Sequence, residues 1–118
     1  MRTIESHKVN PANDQIELNV TDAVGAGGAN HRYEMILPDG RVYCLDFQNG
    51  PIAEAGVNGI THECLIAICI DRLECFQAGP FACAENGEAL THLLQAQAAL
   101  HARTKARMAR NVEGTHTV

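Results

Sequence analysis

The feature that most restricts what this chain can fold into is a pair of helical stripes separated by one stop signal. Between His62 and Gln77, apolar residues stand at 65, 66, 69, 70, 73 and 76, the three-and-four spacing of a helix with one buried face. Gly79-Pro80 ends the pattern, since glycine disfavours a helix and proline cannot continue one. A second stripe, Leu90, Leu93, Leu94, Leu100, Thr104 and Met108, predicts a helix that starts near Ala84 and ends by Asn111. Helices joined by a turn of about six residues become antiparallel neighbours. Thr61 stands where the first helix needs its N-cap.

Upstream, a period of two takes over. Ile16, Leu18 and Val20 within 15–20, Tyr33, Met35 and Leu37 within 31–37, and Tyr43, Leu45 and Phe47 within 41–48 each mark a half-buried strand. Pro38-Asp39-Gly40 has the turn chemistry to join the last two as a hairpin. Residues 1–14 hold no sustained period and read as an arm or an edge strand, with a turn at Asn10-Pro11. Asn49-Gly50-Pro51 breaks the sheet, and Gly56 and Gly59 predict an irregular segment up to Thr61. The expected class is α+β: a small antiparallel N-terminal sheet in a β-rich region, 1–57, followed by an antiparallel two-helix hairpin domain, 58–118. A chain of 118 residues in this arrangement buries little surface alone, so assembly as a homo-oligomer is expected.

Composition narrows the function classes. Hydrophobic residues at 46% and charged ones at 19% describe a folded globular chain, and no run reaches the roughly 18 apolar residues of a membrane helix. The start MRTIESHK lacks the apolar core of a signal peptide, so a cytoplasmic protein without membrane attachment is expected. The five cysteines, at 44, 64, 69, 75 and 83, form no CxxC pair and are expected to be reduced. His62, Cys64, Cys69 and Cys75 contain no tight ligand pair, so these cysteines read as structural small apolar residues and no metal or other cofactor is expected. Gly25, Gly27 and Gly28 match no phosphate-loop pattern and read as a flexible hairpin loop.

Catalysis lacks a constellation. The only serine is Ser6, in the N-terminal arm, and Cys83 near His92 has no third partner. A non-enzymatic protein is expected. A hydrolase with His92 or His101 as base, and a purely structural oligomerisation module, stand as alternatives.

Charge supplies the positive clue. The net charge of −5 counts against a DNA or RNA polymer as partner, yet Arg103, Lys105, Arg107 and Arg110 crowd eight residues with no acidic neighbour; without those four the chain would stand at −9. Arg103, Arg107 and Arg110 follow i, i+4, i+7 and share one helical face, where their forks can clamp phosphates. The same cations also complement the macrodipole at a helix C-terminus. Phe76 and Asn86 flank the interhelical turn, where they can stack and read a nucleobase; equally, Phe76 fits the core stripe and Asn86 fits a cap. About 20 helical residues, roughly 30 Å, separate the turn from Arg107. A pocket that uses both ends therefore needs a second subunit.

Three segments in order, FQNGPIAEAGVNGITHE (47–63), FQAGPFACAENGEAL (76–90) and ARMARNVEGTH (106–116), resemble the Thoeris anti-defence one family of phage proteins, over roughly residues 31–116. That family shares its helical hairpin with phage anti-CBASS sponge proteins. The resemblance implies a sponge in the infected bacterial host, one that sequesters the cyclic ADP-ribose isomers (glyco-cyclic ADP-ribose) made by TIR-domain defence proteins without degrading them. It implies a homo-oligomer, dimer to hexamer, with ligand pockets between protomers; some relatives also hold cyclic di- or trinucleotides in separate sites. By motif, Phe76 would stack adenine, Asn86 would read an amide or base edge, and Arg103 and Arg107 would hold phosphates. A second nucleotide site would use Arg110, Gly114 and Thr115, although Asn111 stands where the family more usually has glycine after the arginine.

Overall fold

The computed structural model describes residues 1–10 and 12–118. The turn expected at Asn10-Pro11 includes Pro11, which lies outside the described residues. By their contacts the residues form two compact units, Met1–Ile60 and Thr61–Val118.

The first unit is a four-stranded antiparallel sheet in sequence order: β1 (Arg2–Ile4), β2 (Glu17–Val20), β3 (Arg32–Ile36) and β4 (Val42–Asp46). The start of the chain is thus an edge strand rather than an arm. Register explains the alternation: Val20 faces Tyr33, which faces Leu45, an apolar row whose first member is only 1% exposed. On the other face Asn19 aligns with Glu34 and Cys44, and its buried side-chain oxygen accepts the Thr3 hydroxyl at 2.9 Å. The Pro38-Asp39-Gly40 turn is closed by the Leu37 N–H donating to the Arg41 carbonyl, with Gly40 at φ +90° as the residue that permits it.

Two expectations for this unit need correction. The segment after Asn49-Gly50-Pro51 is not irregular throughout, because α1 (Ile52–Ala55) forms one helical turn. Pro51 starts it at φ −65°, its carbonyl accepts the Glu54 and Ala55 N–H groups, and Gly56 ends it at φ +71°. The glycine loop, expected to be flexible, is tied down. Gly27 sits inside a 3-10 turn (Ala26–Gly28), His31 bonds the Ala26 carbonyl through its ring, and the Asp22 carboxylate accepts the His31 and Arg32 N–H groups.

Gly59 is required by close approach. A Cβ there would stand 2.4 Å from the Phe47 carbonyl carbon, at the point where Phe47 and Ile60 form a parallel bridge.

The second unit is the hairpin of α2 (His62–Gln77) and α3 (Ala84–Ala109). Thr61 caps α2 by accepting the Cys64 N–H at 3.2 Å. The half-buried or buried residues of α2 are Glu63, Leu65, Ile66, Ile70, Leu73 and Gln77, and those of α3 are Asn86, Gly87, Leu90, Leu93, Gln97, Leu100, Thr104 and Arg107. Positions 63, 66, 70, 73, 77 and 86, 90, 93, 97, 100 each alternate three and four, the seam of an antiparallel coiled-coil pair, whereas Thr104 and Arg107 lie where α3 extends past the start of α2. This moves several predicted stripe residues outward. Phe76 is 37% exposed, Leu94 47% and Met108 60%, and Cys69 is exposed too. All five cysteines are free thiols on the surface, so they do not fill the core as expected. Among the described residues only Val20 and Ile70 are apolar and buried.

Candidate functional site

Every site residue expected from the sequence lies in the hairpin unit, at two opposite ends of it. The turn end is built by Gln77, whose side-chain amide accepts the Cys83 N–H and donates to the Cys83 carbonyl, both at 3.0 Å. This reciprocal pair fastens the interhelical turn where Cys83, at the N-cap of α3, makes no capping bond of its own. Gly87 lets the helices approach, since a Cβ there would meet Gln77 Nε2 at 3.2 Å. In the sequence both carry only a faint signal, a polar residue and a glycine where an apolar seam is expected.

Phe76 lies on the wall of an open groove of about 610 Å³ at this end, together with Ile68, Asp71, Arg72, Cys75 and Phe81. The volume falls in the usual range for small-molecule sites. Phe76 is partly exposed rather than a core residue, and the Arg72 guanidinium stands 5.1 Å from its ring centroid. Phe81 is 74% exposed, the most open aromatic side chain of the groove. Asn86, in the first turn of α3, is half-buried, its side-chain amide makes no hydrogen bond among the described residues, and the N-cap is Cys83 instead.

The other end holds the arginines. Arg103 is exposed, and its guanidinium has no carboxylate or hydrogen-bond partner among the described residues. Arg107 is almost saturated. Its Nε donates to the Glu113 carboxylate at 3.2 Å, Nη1 to the Thr117 carbonyl at 2.7 Å, and Nη2 to the Val112 and Thr115 carbonyls at 2.9 and 3.2 Å. Four of the five guanidinium N–H groups are thus engaged by the segment that follows α3. Arg110 donates to the Val118 backbone oxygen at 2.9 Å.

That segment leaves the helix through a Schellman turn: the Val112 N–H bonds the Arg107 carbonyl and the Asn111 N–H bonds the Met108 carbonyl. Asn111 sits at φ +58°, the left-handed position that suits glycine best and asparagine next. Asparagine here therefore takes the left-handed backbone position that glycine most easily adopts. Gly114 is also left-handed, at φ +77°, and the Thr115 hydroxyl donates to the Val112 carbonyl. Arg107 thus gathers the stretch that carries Gly114 and Thr115.

The two ends do not meet within one chain. α3 runs unbroken from Asn86 to Arg107, and 21 residues at 1.5 Å each separate them by roughly 31 Å. The pair Cys83 and His92 is likewise kept apart, by roughly 13 Å along the same helix. His92 bonds Gln95 and faces Glu88 at 3.8 Å on the exposed surface. Ser6 lies in an exposed turn after β1. No group of three or more His, Cys, Asp or Glu among the described residues is arranged to hold a metal ion. Among the described residues no helix is long and apolar enough to cross a membrane.

Comparison with known proteins gives two matches. Residues 45–105 match the family model described as Acb2/Tad1, hairpin domain, a span that includes Phe76, Asn86 and Arg103 and stops short of Arg107. A protein of Bacillus phage SBSphiJ7 named Thoeris anti-defense 1 is 42% identical over 92 residues, which cover 78% of this chain. The matched stretch spans 65% of the length of that relative.

Proposed function

Since the chain belongs to the Acb2/Tad1 hairpin family, as its three motifs implied, we propose that it is a phage anti-defence sponge against Thoeris. It binds cyclic ADP-ribose isomers such as glyco-cyclic ADP-ribose in the cytoplasm of the infected host and withholds them intact. Phe76 stacks the adenine and Asn86 supplies an unengaged amide to the base edge. Arg103 offers a complete guanidinium fork to the phosphates, and Arg107 adds charge and its remaining N–H.

The observation that carries this reading is the roughly 31 Å of unbroken α3 between the two ends. One small ligand cannot touch both in a single chain, so the pocket pairs Phe76 and Asn86 of one protomer with Arg103 and Arg107 of another. A homo-oligomer also agrees with the scarcity of buried apolar residues and with the outward Leu94, Met108 and Ile68. The segment with Arg110, Gly114 and Thr115 is the place for a second, cyclic oligonucleotide site.

Binding without catalysis is consistent with the separation of Cys83 from His92. The deciding experiment incubates purified protein with glyco-cyclic ADP-ribose, then denatures it by heat and identifies the released molecule. Intact ligand in amounts stoichiometric with protein is the expected result. Turnover by catalytic amounts of protein would replace the sponge with a hydrolase.

A further inference from the structure

At the turn end, Arg72 is a cation without a carboxylate. Its guanidinium rests 5.1 Å from the Phe76 ring centroid, and among the described residues it makes no ion pair. Asp71 lines the same groove, and among the described residues its carboxylate has no ion pair or hydrogen bond. An exposed cation held on an aromatic face is weakly bound there, because water competes for the charge. A flat π-system that stacks on both groups at once would hold each better than they hold each other.

We propose that Arg72 is the second wall of a purine slot, so that the base of a nucleotide inserts between its guanidinium and the Phe76 ring. The proposal rests on the nucleotide-binding reading above and adds a residue to it. A ring in contact on both faces needs about 7 Å between its neighbours, twice the ~3.5 Å contact distance, so the guanidinium must withdraw by about 2 Å. A long, exposed arginine side chain does this by a rotamer change. The guanidinium plane stacks on a base where an ammonium group cannot.

Asp71 fixes the direction of entry. A carboxylate beside the slot repels phosphates, so the groove takes the neutral base and directs the diphosphate outward, toward the arginines of another protomer. Phe81 lines the same groove and is exposed to it.

The test titrates wild-type, Arg72→Ala and Arg72→Lys proteins with glyco-cyclic ADP-ribose, and follows the Arg72 Nε–H resonance by NMR during titration with 5′-AMP and with ribose 5-phosphate. Arg72→Ala should weaken binding about thirtyfold, the scale of a desolvated cation–π contact, with Arg72→Lys failing to restore it. 5′-AMP should shift the Arg72 resonance and ribose 5-phosphate, which has no base, should leave it still. Unchanged affinity in Arg72→Ala, or full affinity in Arg72→Lys, would overturn the slot while leaving the sponge reading intact. If wild-type protein does not bind glyco-cyclic ADP-ribose, the sponge reading falls; a shift with 5′-AMP would then still support the slot, and no shift would end both.

Discussion

Arg107 and Glu113 form an ion pair at 3.2 Å in which the arginine side chain is only 12% exposed, and around it three backbone carbonyls of residues 112–117 complete the shell. A cation at a helix end has become the centre of the segment that follows. Arg107 therefore has a structural role whatever it binds, whereas the Arg103 side chain has no such contact among the described residues.

Arg107→Ala should loosen residues 111–117 and lower stability of the hairpin unit by about 1.5–3 kcal/mol, the scale of charge-assisted bonds to a part-buried group. Hydrogen exchange of the Thr115 and Thr117 amides reads this directly. Arg107→Lys should recover little, since one ammonium cannot serve carbonyls in a planar fork. Protection equal to wild type in Arg107→Ala would show that the Schellman turn alone holds the segment.

Arg103→Ala separates the two roles. With no partner to lose, the variant should keep its stability within about 0.5 kcal/mol. Its affinity for glyco-cyclic ADP-ribose should fall more than about tenfold. Calorimetric titration beside a thermal melt decides; a lower melting temperature with unchanged affinity would make Arg103 structural.

Asn111→Gly should be neutral or slightly stabilising, and Asn111→Val should cost about 1–2 kcal/mol, because a β-branched side chain at φ +58° meets its own carbonyl. Urea denaturation of the two variants measures the difference. Equal midpoints would mean that the helix ends elsewhere in solution.

The loop between β2 and β3 should respond to acid. The His31 N–H first, and the Arg32 N–H after it, hold the Asp22 carboxyl below its usual range, with burial acting the other way. A carboxyl lowered in the folded state contributes stability above its unfolded pKa of about 3.9, and that contribution fades as pH falls toward the folded value. Amide resonances of His31 and Arg32, followed from pH 6 to 2, should titrate together below about pH 4, and Asp22→Asn should abolish the step. Amides that do not move with pH would disconnect Asp22 from the loop.

Periodicity made most of the architecture legible. Thr61, Gly79-Pro80 and Pro38-Asp39-Gly40 are local signals whose chemistry acts within a few residues, so the helices, their turn and the last hairpin could be read directly. The register of β1 on β2 could not, because three residues at an edge carry no period and the Thr3–Asn19 bond joins positions far apart in the chain.

The sequence by itself determined the hairpin, the concentration of positive charge after Arg103 and the motifs of its family, all properties of order and spacing. Only the tertiary structure decided which members of each stripe turn inward, since several neighbouring seams satisfy the same three-and-four pattern and packing selects one. That selection turned Phe76 toward the groove with Arg72 and committed Arg107 to the carbonyls of residues 112–117. It left the Arg103 guanidinium without a partner among the described residues.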